Sequence, residues 1–284
     1  MEKIRSLKFP TYVSAVERLW HYLHRLICGL TLIFLLLPIF AIVPLSFSDS
    51  TLLLYPIPSF SFKWYDALFH SDEWIRAAKN SFIVAPSATL IATVLGTLAA
   101  AGLHRIEFHG KGLLMAILIS PMIVPLVVVG VGIYLFFAPY GLTSSYIGLI
   151  LAHAALGAPF VLTTVSATLQ GFNENLVRAS YSLGASPLHT FFKVTLPIIA
   201  PGIVAAAMLA FALSLDDFII TLFNAGNRIT YPLYVYGARR AAFPPQINVL
   251  ATAILLVSLL ALGATVLWQQ RTLRQRGMAV TPLA

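Results

Sequence analysis

Two adjacent carboxylates, Asp216 and Asp217, interrupt an otherwise apolar run reading AFALSLDDFIITLF. Acidic groups in such surroundings are costly to desolvate, so they face a water-filled path or a partner. One chemistry for the pair is to line a path and concentrate positively charged ligands. The other is to cap or brace neighbouring helices. Successive helical positions point about 100° apart, so at most one of the two faces a shared path squarely. His153, inside another apolar run, has a similar choice between touching a solute and hydrogen-bonding to a neighbouring helix.

Reactive constellations are missing. The seven histidines are scattered, and His21 and His24 share a helix face without a third ligand, so no metal site is expected. The single cysteine, Cys28, excludes a disulfide or a Cys-x-x-Cys motif within the chain. There is no G-x-x-x-x-G-K-[ST] loop for nucleotide phosphates, no H-E-x-x-H pair and no G-x-S-x-G nucleophile turn. The chain reads as a conduit rather than an enzyme.

A third feature is a polar break, SYSLGASPLHTFFKVTLPIIAPG, from Ser180 to Gly202. The preceding NENLVRASYSLG forms a short helix, with Asn173 or Asn175 at its start and Leu176, Ala179, Ser180 and Leu183 on one face. Gly184 suits the left-handed position that ends helices. Pro187 opens a second turn, and Pro197 and Pro201 give the following apolar run a rigid, kinked start. This shape suits docking into a partner's groove, although an ordinary solvated loop would read the same way.

The elements that position these residues are set by the solvent. The chain has 284 residues, 59% of them hydrophobic and 10% charged, with a mean hydropathy of +0.87. A soluble domain carries about 25% charged residues, so this chain belongs in a bilayer. Crossing the hydrocarbon takes about 20 apolar residues. Six runs reach that length: Leu26–Phe47, Ser81–Leu103, Leu113–Ala138, Ile147–Leu169, Ile198–Phe223 and Val249–Trp268. Pro121 and Pro125 disturb the third. Continuous runs, rather than short alternating ones, argue for helices and against a barrel.

Six spans place both termini on one side. Twelve of the 18 Lys and Arg fall there, among them Lys3, Arg105, Lys111, Arg178 and Arg271; the other six include Lys63, Arg228, Arg239 and Arg240. The richer side is cytoplasmic. The formal charge of +8 is thereby distributed around membrane ends, which argues against nucleic-acid binding. The first span is too long for a removable signal and lacks a cleavage site. TYVSAVERLWHYLHRLI before it reads as an interfacial helix. Trp64, Tyr65, Phe69 and Trp74, between the first two spans, read as an interfacial aromatic belt.

The polar break resembles the cytoplasmic E-A-A-x-x-x-G loop of ATP-driven (ABC) importer permeases. Ala179 matches the first alanine, Gly184 the glycine and TLPIIAPGI the closing segment, while Arg178 stands at the family's glutamate and Ser180 at its second alanine. PIPSFSFKWYDALF, NSFIVAPSATLIATVLGTLAA, LAHAALGAPFVLTTVSATLQGF and SLDDFIITLF resemble successive segments of these permeases, the last two in the spermidine/putrescine-type branch. YPLYVYGARRAAFPPQINVLATAILLVSLL continues that likeness into the sixth span. Leu126 occupies a position where this branch often has an acid.

The resemblance implies an all-α polytopic membrane protein of six transmembrane helices, with a cytoplasmic coupling helix between the fourth and fifth. Residues 1–25 form a cytoplasmic or interfacial segment, 26–268 the permease domain with the coupling loop at about 170–197, and 269–284 a cytoplasmic tail. ATPase coupling then falls to Arg178, Ala179, Ser180, Leu183, Gly184, Ala185 and Pro187. Asp216, Asp217 and His153 become candidates for the substrate path. The expected setting is a bacterial inner membrane, and the expected partners are ATPase subunits, a second related permease, a soluble binding protein and membrane lipid. The chain itself needs no cofactor, ATP and Mg being held by the ATPase. The solute is small and cationic or amino-bearing: a polyamine first, an opine or an aminoethylphosphonate-like compound next. The competing class is an ion-gradient-driven secondary transporter, for which Asp216, Asp217 and His153 would carry protons.

Overall fold

A computed structural model describes residues 14–52, 54–241 and 244–275. Lys3, Arg5, Lys8 and Arg276, which contribute to the charge asymmetry, lie outside the described residues, as do the side chains of Arg239, Arg240, Arg271 and Arg274. The chain forms two compact units. One is Phe69–Ala242; the other comprises the described residues up to Leu68 together with those from 244 onward.

In the terminal unit, α1 (Ala15–Leu45) and α12 (Gln246–Gln275) pack on each other. Ser14 opens α1 with a reciprocal cap: its Oγ accepts from the Glu17 N–H at 3.2 Å while Glu17 accepts from the Ser14 N–H at 2.8 Å. From Ala15 onward the expected interfacial segment and first span are one uninterrupted helix. Its large apolar side chains are exposed on many sides, from Leu30 to Phe40, as a lipid-facing helix requires. A bridge between Ser48 and Phe60 closes the following loop, and α2 (Lys63–Phe69) ends this unit. Tyr65 stacks on Phe47 at 5.3 Å and shares a 2.9 Å hydrogen bond with Ser46.

The larger unit is built on α3 (Asp72–Arg105), α6 (Tyr146–Gln170) and α9 (Leu196–Asp216). Small residues let them approach closely, as in other membrane helix contacts. A Cβ on Gly157 would lie 3.3 Å from Ala92 Cβ and 3.4 Å from Ala210 Cβ, so the three helices meet at this glycine. Gly96 faces Val161, whose Cβ would be 2.7 Å from an added methyl. Around them Ala88, Ala154, Leu162, Val165 and Ile199 complete a buried core.

The expected third span is broken. α4 (Lys111–Ile123) and α5 (Leu126–Phe137) meet at a 107° bend. Val124 adopts φ −71°, ψ 138°, the extended geometry that a following proline imposes, and Pro125 cannot donate to continue the ladder. The expected fifth span is also interrupted: after α9, Asp217 is extended (ψ 124°) and a short α10 (Ile219–Asn224) follows. Among the described residues, α1, α3, α6 and the helical stretch ending in α9 are each long and apolar enough to cross a membrane; the α4–α5 pair makes a fifth. The belt reading fails for Trp74: it is buried, 5.6 Å from Tyr231 and 4.7 Å from Tyr234, rings of α11 (Tyr231–Ala241).

Candidate functional site: a coupling loop and a buried polar cluster

The polar break forms two short helices at an angle fixed by a turn. α7 (Asn175–Ser182) starts where Asn173 Oδ1 accepts from the Asn175 N–H at 3.0 Å. It ends at Gly184, with φ +82°. The Gly184 N–H donates to Tyr181 O at 2.9 Å and the Ala185 N–H to Ser180 O at 3.2 Å, the paired bonds of a Schellman cap. Ser186 then caps α8 (Pro187–Thr190), accepting from the His189 N–H at 3.3 Å, and Pro187 takes the first helical position. Ser180 and Thr190 share a 2.9 Å hydroxyl–hydroxyl bond that ties the two helices together. A π-helical turn, Phe191–Thr195, leads into α9.

This arrangement displays apolar side chains where the chain is otherwise polar. Leu183 is 88% exposed and Leu188 72% exposed, on either side of the Gly184 turn. Arg178, Ala179 and Pro187 are exposed as well, and Ser180 and Ala185 are half-buried. Leu188 was not singled out in the sequence; its signal was a large apolar residue directly after the proline that starts α8.

The polar residues in the spans separate into two environments. Asp216 ends α9 exposed, whereas Asp217 is buried. Asp217 Oδ2 accepts from the Ile220 and Thr221 N–H groups at 3.0 and 3.3 Å, capping α10 across the break. His153 is buried beside it, with Nδ1 2.9 Å from Ser214 Oγ and Nε2 3.0 Å from Thr221 Oγ1. Its Nε2 lies 3.8 Å from Asp217 Oδ2. The structure thus brings His153 and Asp217 together and leaves Asp216 apart. His153 fastens α6 to both pieces of the broken fifth span.

The cluster extends through residues that sequence patterning did not flag. Thr230 donates to Thr221 at 3.4 Å, and Asn224 donates to Gly130 O at 3.2 Å. Asn80 donates to Ile229 O at 2.8 Å and accepts from the Tyr146 hydroxyl at 2.7 Å. The Tyr231 N–H donates to Ser81 at 2.8 Å. These bonds hold the segment after α10 onto α3, which Tyr146 ties in turn to α6. Their sequence signal was polar residues at span ends, indistinguishable there from solvated ones. Among the described residues, no group of three or more His, Cys, Asp or Glu is arranged to hold a metal.

Comparisons with known proteins agree on one family. Residues 92–276 match the family described as "binding-protein-dependent transport system inner membrane component". The chain is 34% identical over 203 residues to the spermidine/putrescine transport system permease protein PotC of Haemophilus influenzae, covering 70% of this chain and 78% of that one. It is 33% identical over 238 residues to the putrescine transport system permease protein PotI of Escherichia coli K12, covering 81% and 84%. A solved bacterial ABC transporter involved in importing the acidic polysaccharide alginate shares the fold, with a TM-score of 0.67 at 16% identity, over 92% of this chain and 99% of that one. The chain belongs to the family of binding-protein-dependent transport system inner membrane components.

Proposed function

We propose that this chain is one half of the translocation path of an ATP-driven polyamine importer, and that it receives force through the α7–α8 loop. The observation carrying this reading is the capped turn at Gly184, which presents the exposed side chains of Leu183 and Leu188 on either side of it. Exposed apolar side chains on a rigid, polar-flanked element fit a groove in another protein. Arg178, Ala179, Ser180, Leu183, Gly184, Ala185 and Pro187 form the ATPase-coupling surface, within a loop of about 170–197. The π turn and Pro197 pass its motion directly into α9.

In this reading six spans cross the inner membrane: α1, α3, the bent α4–α5 pair, α6, α8 to α10, and α12. Residues 26–268 form the permease domain, with residues 1–25 and 269–284 cytoplasmic. A second, related permease completes the path, two ATPase subunits hold ATP and Mg, and a soluble binding protein delivers the solute. The chain catalyses no reaction. The two curated relatives are named for spermidine and putrescine, and the exposed Asp216 carboxylate suits a cationic solute. His153 and Asp217 act as braces behind the path, since both ring nitrogens of His153 and the Oδ2 of Asp217 are engaged with Ser214, Thr221 and the start of α10. Access alternates because ATP and solute bind the two states with different affinity.

Extraction from the native membrane followed by mass spectrometry tests the assembly. An ATPase and a second permease retained with the chain support the reading. A chain that purifies alone and moves solute into liposomes on an ion gradient overturns it in favour of a secondary transporter.

A further inference from the structure

A cleft of about 210 Å³ lies between the end of α3, the end of α6, α7 and the π turn before α9. Its inner wall is apolar, made by Leu169, Phe172 and Val177. Arg105 and Arg178 line it, and among the described residues neither has a carboxylate within ion-pair distance. The one acid in the lining, Glu174, has its Oε1 3.3 Å from His104 Nε2. Thr195 also lines the cleft; it is 3% exposed, and its Oγ1 has no hydrogen-bond partner. Two free guanidiniums and an unsatisfied buried hydroxyl beside an apolar wall make a site for an amphiphile with an anionic head.

The depth of the cleft selects the kind of amphiphile. His104 and Arg105 form the last turn of α3, and Leu169 the last turn of α6, where two apolar spans reach the interface. Basic pockets between membrane helices on the cytoplasmic side take anionic lipid head groups. We propose that this cleft binds the phosphate of an anionic phospholipid, with Arg105 and Arg178 pairing with its oxygens and Thr195 Oγ1 donating a hydrogen bond. The bound lipid bridges α3 and the coupling helix α7, so the composition of the inner leaflet sets how firmly that helix is held. This inference rests on the cytoplasmic placement of the loop given above. It also gives Arg178, a member of the coupling surface, a second contact on the membrane side of α7, apart from the exposed Leu183 and Leu188.

The assembled transporter, in nanodiscs of phosphatidylcholine doped with phosphatidylglycerol, is released from lipid and examined by native mass spectrometry. Phosphatidylglycerol should be retained on this permease over phosphatidylcholine by roughly thirtyfold, each arginine near the membrane surface contributing about fivefold. R105Q/R178Q should abolish the preference, T195V should reduce it, and inorganic phosphate should not displace the lipid. Equal retention of the two lipids overturns the proposal. So does a preference for phosphatidylglycerol that survives in R105Q/R178Q, whether or not the ATPase is retained. Displacement by inorganic phosphate alone overturns the lipid assignment in favour of a free anion. Phosphatidylglycerol retained on a permease that carries no ATPase in any preparation supports the lipid site and sinks the coupling reading instead.

Discussion

Gly184 allows the coupling surface to be tested by conformation alone. An added Cβ there meets nothing within 4 Å, so substitution changes backbone preference without crowding this chain. At φ +82° an alanine pays roughly 1–2 kcal/mol relative to glycine. About 0.4–1 kcal/mol of that is offset by the lower entropy of the unfolded chain. The net cost, about 1 kcal/mol, lowers the ratio of capped to uncapped turn about fivefold. Valine costs more because its branched Cβ resists positive φ, whereas asparagine tolerates it. Uptake and binding-protein-stimulated ATPase activity of the reconstituted transporter should therefore fall in the order Gly, Asn, Ala, Val. Expression and assembly with the ATPase should persist through G184A. Wild-type coupling in G184V would refute the argument that this turn must hold a left-handed residue. A G184N variant as impaired as G184V would show that contact, rather than backbone conformation, governs the position.

Replacing His153 with leucine strands the hydroxyl of Ser214 and removes one of the partners of Thr221; at about 0.6–1.7 kcal/mol for each lost interhelical bond, it should lower the melting temperature of the detergent-solubilised complex without shifting the KM for solute. D217A removes the cap of α10 and should destabilise the protein by about 1 kcal/mol, whereas D216N should leave stability unchanged and raise the KM for a cationic solute, read by thermal unfolding beside uptake kinetics. G96A drives a methyl to 2.7 Å from Val161 Cβ and 3.0 Å from Ala158 O; it should cost about 1–3 kcal/mol, measured by the same unfolding assay.

Much of this arrangement was legible in the sequence because bilayer and backbone constraints are strict. Long apolar runs had to be helices, and Gly184 and Pro187 carried the geometry of the coupling turn in their own dihedral preferences. The breaks were harder to place. Pro125 signalled a disturbance, but the 107° bend depends on how α5 packs with α10 and α6. SLDDF read as a continuous helix because Asp217 serves as a cap only when the chain turns extended at that residue. The roles of Asn80, Tyr146 and Thr221 were not legible, since each depends on partners far away in the chain. Trp74 was misread for the same reason: Tyr231 and Tyr234, which bury it, are distant in sequence.

The most direct test of the central claim is solute flux in proteoliposomes holding this chain with its co-purified partners and binding protein. Radiolabelled spermidine or putrescine would be supplied on the binding-protein side and ATP on the side of the α7–α8 loop. The account predicts accumulation that requires ATP, stops when ATP hydrolysis is blocked, and is indifferent to collapse of the proton gradient. Accumulation driven by an ion gradient without ATP or an ATPase subunit would contradict it, and Asp216, Asp217 and His153 would then be the first residues to examine as proton carriers.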